Sequence, residues 1–485
     1  MEEAQSLSID IKNIKKRVVS SFMSLTFGSL ATSFFGLLTN NFILIRILSV
    51  ETIGIFNISN GIISFFSFFS DIGLAASLIQ KKEAVTSSDI KSTFTIQQTL
   101  VTILSLLIIL SAPMLANFYH LNDDGVWLIR ILGVCFFLSS LKVIPAVMLE
   151  RELKFRSLVI VDIVETVIYV SLLIILAYAN FGIWSFSLAA LTQRIVGVIL
   201  IYVIAPVRVG FQLDTQVIRK LLSFGVPFQL NSLLALLKDR LVPLIIAHII
   251  GPIGVGYVTW AQSMAFLPLE GMNIIIRISF PLFSRLQSDK ASLEKVIEKT
   301  LFLTALIVYP LLFGLGAVLP SVVTHILSSK VEAAIPSFYL FASSTFWAVI
   351  STTFTNVLNA IGHIKMTLKL MIFWTVLTWL LTPLLTINYG FTGVAISSFI
   401  ISFTSIITII LVKRVLRIKV LESILLPTAV SLLMSIVVGV FSRFYVKDKL
   451  SLAVAVALGG VVYGGLIFIL GKNKILREIQ NFRNV

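Results

Sequence analysis

Apolar stretches of about twenty residues, the length a helix needs to cross a bilayer, recur fourteen times along this chain. They predict helical spans at 18–45, 53–79, 93–117, 125–149, 157–179, 182–204, 221–247, 256–284, 300–320, 336–360, 366–387, 391–412, 423–442 and 450–471. Odd spans join the even spans after them through tight turns such as Asn180-Phe181-Gly182 and Asn388-Tyr389-Gly390. Even spans lead onward through longer, basic segments, among them QKKEAVTSSDIK, ERELKFR and KRVLRIKV. The expectation is an all-α polytopic membrane protein of about fourteen transmembrane helices.

Composition agrees: 57% of the 485 residues are hydrophobic and 13% charged, against ~25% charged in soluble domains. The net charge of +15 suggests nucleic acid only until the charges are placed. Of the 38 Lys and Arg, 27 fall on the side of the N-terminus, 5 on the other side and 6 within spans. That asymmetry puts both termini in the cytoplasm and leaves no nucleic-acid surface. The leader, 1–17, is too polar for a cleaved signal and lacks a small-residue cleavage site, so the first span is expected to stay. The single Cys135 lies in an apolar span, which excludes a disulfide framework or cysteine metal cluster. His248, His325 and His363 stand apart near span ends, so no metal site is expected.

Polar residues inside the spans carry the candidate chemistry, because a charge at bilayer depth faces a partner or a wet cavity. The segment LLSFGVPFQLNSLLALLKDRLVPLIIAHIIG, 221–251, holds Lys238, Asp239 and Arg240 between Pro227 and Pro243. In the second span Asn57, Asn60, Ser64, Ser67 and Asp71 recur at intervals of 3, 4, 3 and 4, which puts them on one helical face. Packing through small residues accounts for the serines; Asp71 fits a cavity lining better. The fourth span holds Arg130 and Lys142, the latter three residues before Pro145. Asp162 and Glu165 lie one turn apart in the fifth, where they either pair with Arg151, Lys154 or Arg156 or serve a buried role. Gln193 and Arg194 occupy the centre of the sixth, from which no short route to water exists. Glu270 stands at the midpoint of the eighth between Pro268 and Gly271, with Arg277 two turns on. A Pro/Gly interruption at that depth frees backbone groups that only a protein-lined or watery site satisfies.

An internal repeat organises these spans. RILSVETIGIFNISN from Arg46 aligns with HIIGPIGVGYVTWAQ from His248 at an offset of 202, the Asn180 turn with the Asn388 turn at 208, and LKFRSL from Leu153 with IKMTL from Ile364 at 211. The expected organisation is a leader at 1–17, six-helix bundles at 18–210 and 211–414, and two additional helices with a cytoplasmic tail at 415–485. Parallel repeats of this kind place a substrate path between bundles that rock to open either side.

The stretches at 46–83, 249–262, 278–299 and 355–366 carry a resemblance to the multidrug/oligosaccharidyl-lipid/polysaccharide exporters, and within them to Wzx-type flippases. The resemblance implies a two-lobed fold of twelve plus two helices in the bacterial cytoplasmic membrane. It implies outward flipping of undecaprenyl-pyrophosphate-linked oligosaccharides for O-antigen, capsule, exopolysaccharide or teichuronic acid assembly. Arg194, Arg277, Lys238, Arg240 and Lys142, with Asn57 and Asn60, are then the expected pyrophosphate and sugar ligands. Glu270, Asp71, Asp239 and Asp162 are the expected coupling or gating acids, with Arg194 or Arg277 as the partner of Glu270. Which of Lys238, Asp239 and Arg240 faces a cavity stays open. No phosphate-binding loop occurs, so no cofactor is expected and the driving ion would be H+ or Na+. The expected partners are the lipid-linked substrate and a polysaccharide polymerase or assembly machinery, and the chain is expected to act as a monomer. A multidrug/cation antiporter and a peptidoglycan-precursor flippase are the alternatives. A membrane-embedded polymerase fits less well, since the outer connections are too short to hold a catalytic site.

Overall fold

A computed structural model describes residues 36, 39–70, 73–80, 85–152, 154–215, 218–219, 236 and 240–483. The leader, most of the first and seventh spans, Asp71, Leu153, Lys238 and Asp239 lie outside these residues. The described chain is helical, with no strand among its elements, and eleven of its helical segments are long and apolar enough to cross a membrane. It divides into two compact units, Met1–Gly256 and Tyr257–Val485. That division follows packing, whereas the boundary drawn at 210 follows sequence kinship.

In the first unit the helices are α1 (Val50–Ser67), α2 (Leu74–Gln80), α3 (Ser87–Phe118), α4 (Asp123–Leu141), α5 (Val143–Arg151), α6 (Phe155–Tyr178) and α7 (Trp184–Ile204). Helix α8 (Val242–Phe266) begins here and continues into the second unit. Local sequence sets the ends. Ser49 caps α1 by accepting from the Thr52 N–H at 3.0 Å. Thr86 and Asp89 cap α3 reciprocally, each side chain accepting from the other's backbone N–H. The turn between α6 and α7 carries Asn180 and Gly182 at positive φ, the residue types that tolerate it.

The break between α4 and α5 has an identifiable cause. Pro145 has no N–H to give the carbonyl four residues back, that of Leu141. The Tyr202 hydroxyl, from α7, donates to this carbonyl at 3.1 Å. One proline thereby opens the helix at Lys142 and ties α4 to α7.

The repeat is visible where α1 and α8 cross. The offset of 202 maps Val50 onto Pro252 and Gly54 onto Gly256. A Cβ on Gly54 would collide with the carbonyl of Pro252, and a Cβ on Gly256 with the carbonyl of Val50. Each glycine thus admits the backbone that its counterpart's helix begins with, a reciprocal contact of equivalent residues. Gly251, at φ 64° and ψ −177°, breaks α8 at the point equivalent to Ser49. The segments before and after it are therefore the end of one span and the start of the next.

The second unit comprises the rest of α8, then α9 (Leu269–Arg285), α10 (Lys290–His325), α11 (Ile335–Ala360), α12 (Ile364–Tyr389), α13 (Phe391–Phe403), α14 (Ser405–Lys413), α15 (Val420–Tyr445) and α16 (Lys449–Arg483). Its core gathers Phe283, Ile297, Leu301, Tyr309, Phe354 and Val412 around α10. Small hydroxyls join neighbours, as between Ser321 and Ser442 at 2.7 Å and between Thr382 and Ser397 at 2.7 Å. The carboxylates of Glu294 and Glu298, one turn apart on α10, accept the backbone N–H groups of Arg417 and Lys419 at 2.6 and 2.8 Å. This clasp holds the chain just before α15.

Candidate functional site

Four helices of the first unit enclose a cavity of about 410 Å³. Helix α1 supplies Phe56, Asn60, Ser64 and Ser67; α4 supplies Leu132, Cys135, Phe136 and Ser139; α6 supplies Tyr169; and α7 supplies Ala190, Gln193 and Arg194. The 3–4 spacing on α1 does bring Asn60, Ser64 and Ser67 to one wall. Asn57 is half-buried outside that lining and has a partner of its own.

A trio of charges stands at the Arg194 end of the cavity. Glu165 on α6 is 4% exposed. Its Oε1 accepts a hydrogen bond from Lys142 Nζ, and its Oε2 lies 3.6 Å from Arg194 Nη1. The carboxylate rests over Gly197, one turn beyond Arg194 on α7, where any Cβ would overlap it. Lys142 reaches Glu165 from the break between α4 and α5, so the Pro145 interruption determines where this ammonium stands. An isolated ion here would bear the full desolvation penalty; the trio leaves none isolated.

The sequence does not distinguish Glu165 from Asp162, and the structure separates them. Asp162 is exposed, away from the cavity lining. Glu165 is the acid that meets the cations. Gly197 is the signal that points to it, a small residue three positions after an intramembrane arginine.

The remaining candidates are placed differently. Arg240 is exposed at the start of α8. Glu270 and Arg277 belong to α9 of the second unit, and both are exposed. The helix is interrupted by a turn after Phe266, and Glu270 falls in the first turn of α9, where its own N–H and that of Gly271 donate to the Leu267 and Pro268 carbonyls at 3.2 Å each. Arg277 has an interaction partner. Asp71, Lys238 and Asp239 are outside the described residues. His248 Nδ1–H donates to the Phe118 carbonyl at 2.7 Å, and the ring stacks on that of Phe118. Among the described residues no cluster of His, Cys, Asp or Glu is arranged to hold a metal ion.

A larger cavity of about 620 Å³ lies in the second unit. It is lined by Phe313, Phe346, Trp347 and Phe399 with a few hydroxyls, and the Tyr339 hydroxyl there is committed to the Gly316 carbonyl at 2.9 Å. Its walls offer no charge to an ionic ligand. The smaller, charged cavity is the candidate site.

A family model described as polysaccharide biosynthesis protein matches residues 43–336. The chain is 23% identical over 436 residues to the teichuronic acid biosynthesis protein TuaB of Bacillus subtilis, covering 84% of this chain and 87% of that one. It is 21% identical over 452 residues to the succinoglycan biosynthesis transport protein ExoT of Rhizobium meliloti, covering 90% of each. Among solved structures, the lipid II flippase MurJ in an inward closed conformation superposes with a TM-score of 0.73 at 13% identity, covering 93% of this chain and 99% of that one. At that identity the likeness establishes the fold.

Proposed function

Because the chain belongs to the family of polysaccharide biosynthesis proteins, we propose that it flips undecaprenyl-pyrophosphate-linked oligosaccharides from the cytoplasmic to the outer leaflet. The observation that supports this reading is a guanidinium opening into a polar cavity of an otherwise apolar helical unit. Arg194 lines the space with its side chain 35% exposed. A guanidinium offers paired N–H groups to phosphate oxygens, while Asn60, Ser64, Ser67 and Gln193 offer donors and acceptors to sugar hydroxyls. The isoprenoid tail stays in lipid, and only the headgroup must be shielded from hydrocarbon.

The same proposal places the protein in the bacterial cytoplasmic membrane with both termini cytoplasmic. It works as a monomer that passes its product to a polymerase or other assembly machinery. Transport proceeds by alternating access drawing on a proton or sodium gradient, with Glu270, Asp71 and Asp239 as the acids to test. A drug/cation antiporter is disfavoured by the cation facing the cavity. A peptidoglycan-precursor flippase would need the same headgroup site.

The experiment is flipping of a fluorescent lipid-linked sugar in proteoliposomes, read by the fraction accessible to an external quencher. Wild-type protein is expected to accelerate the loss of protection over empty vesicles, and Arg194→Ala to abolish it. Equal rates with and without wild-type protein would refute the flippase reading. Imposed proton or sodium gradients then identify the driving ion.

A further inference from the structure

We propose that Glu165 is a built-in competitor for the anion that Arg194 receives, and that Lys142 serves to hold Glu165 rather than to bind substrate. This rests on the flippase reading above. The trio is asymmetric. Lys142 is 16% exposed, is absent from the cavity lining and is hydrogen-bonded to Oε1. Arg194 is more than twice as exposed, lines the cavity, and stands 3.6 Å from Oε2, beyond hydrogen-bonding distance. One cation grips the carboxylate and the other only leans on it.

The carboxylate is also the member least able to move. It is seated over Gly197 on α7, in a notch that exists because that residue has no Cβ. The Arg194 side chain has a flexible stem and five N–H donors, so Arg194 is the member that swings. Among the described residues no acid other than Glu165 stands within ion-pair distance of Arg194: Asp162, one turn away on α6, is exposed, does not line the space and acts on Arg194 only at longer range.

The arrangement conserves charge pairing through a binding cycle. In the empty cavity Glu165 neutralises one cation fully and screens the other. When a pyrophosphate arrives, Arg194 turns to it and Lys142 keeps Glu165 neutralised. No ion is left alone in either state, which is where the large penalty would lie. Glu165 therefore weakens binding by a set factor and speeds release by pulling Arg194 back. It also sets a threshold. A single carboxylate on an acidic sugar gains little by displacing another carboxylate, whereas a multiply charged pyrophosphate forming bidentate bonds prevails.

The test is equilibrium binding and dissociation of radiolabelled farnesyl pyrophosphate on the full-length protein in nanodiscs, with farnesol as the uncharged control. Glu165→Gln is expected to bind at least about tenfold more tightly than wild type, mainly through slower dissociation. That variant adds a net positive charge and strips Lys142 of its partner, so Lys142→Met/Glu165→Gln is the deciding one. It removes the pair together, keeps the net charge of the trio, and is expected to show the same tightening. Adding Arg194→Ala to it should erase the gain. Wild-type affinity in the double variant would overturn the proposal, as would failure of both variants to fold, which would make the trio structural. Equal binding of farnesyl pyrophosphate and farnesol by wild type would instead refute the anionic-headgroup reading itself.

Discussion

Gly54→Ala puts the reciprocal crossing of α1 and α8 under direct test. The added Cβ would stand 2.6 Å from the carbonyl carbon of Pro252, where ordinary contact begins at 3.4 Å. The helices must then part by about 0.8 Å to clear that carbon and by more to clear the nearer carbonyl oxygen, and backbone atoms have no rotamer to escape into. Overpacking of this kind costs roughly 1–3 kcal/mol, enough to displace a two-state equilibrium by about 5–150-fold. Helix α1 also carries Phe56, Asn60, Ser64 and Ser67 to the cavity, and under the proposed topology the crossing lies between that cavity and the outer face. Parting the helices should therefore admit outside reagents. Cys135 is the single cysteine and borders the cavity while only 5% exposed, so its labelling starts slow and reports any opening. Its labelling by a membrane-impermeant maleimide applied outside is expected to accelerate in Gly54→Ala, and by a similar factor in Gly256→Ala. The double variant should add little, since a crossing already parted has no contact left to break. Unchanged labelling in both single variants at wild-type abundance would show that the contact is not held in the working protein.

Further outcomes follow from the same geometry. Glu165→Ala leaves two cations without their carboxylate and is expected to cost about 3–5 kcal/mol, seen as loss of the monodisperse peak on heating in detergent. Lys142→Met/Glu165→Gln should lose far less by the same measure. Tyr202→Phe orphans the Leu141 carbonyl beside the helix break and should destabilise by about 1–3 kcal/mol; a wild-type melting temperature would mean that water replaces the hydroxyl. Reporter fusions after Gly125, Gly182 and Gly390 should read as extracytoplasmic, and cytoplasmic signals at two of the three would break the topology.

The spans are legible in the sequence because a bilayer demands long apolar runs, and α6, α7 and α12 follow the expected ranges within about two residues, while α3 starts earlier, at Ser87. The repeat was readable for the same reason, its landmarks being turns and glycines with few substitutes. The charged site was only half legible. Arg194 and Lys142 stand out because nothing apolar excuses them, yet the acid they share depends on the rotation of α6 and on a notch at Gly197, 32 positions away. Asp162 and Glu165 have the same chemistry and nearly the same place in the sequence, and only packing tells them apart. Glu270 shows the converse. Drawn within one span over 256–284 it is a carboxylate at mid-membrane, but with the break after Phe266 it opens a new helix. Pro268 and Gly271 mark an interruption without saying whether it bends one helix or starts another.

The clasp before α15 separates two duties that a basic loop commonly combines. Glu294 and Glu298 grip amide protons, which every residue but proline supplies. The identities of Arg417 and Lys419 are therefore immaterial to the grip, and the four basic residues at 413–419 are left to orient the final hairpin during insertion. The backbone clasp thus adds to the side chains that seat α15 and α16 on α10, Ser442 against Ser321 and Tyr463 on the Leu306 carbonyl, and it tolerates any substitution at 417 and 419 except proline.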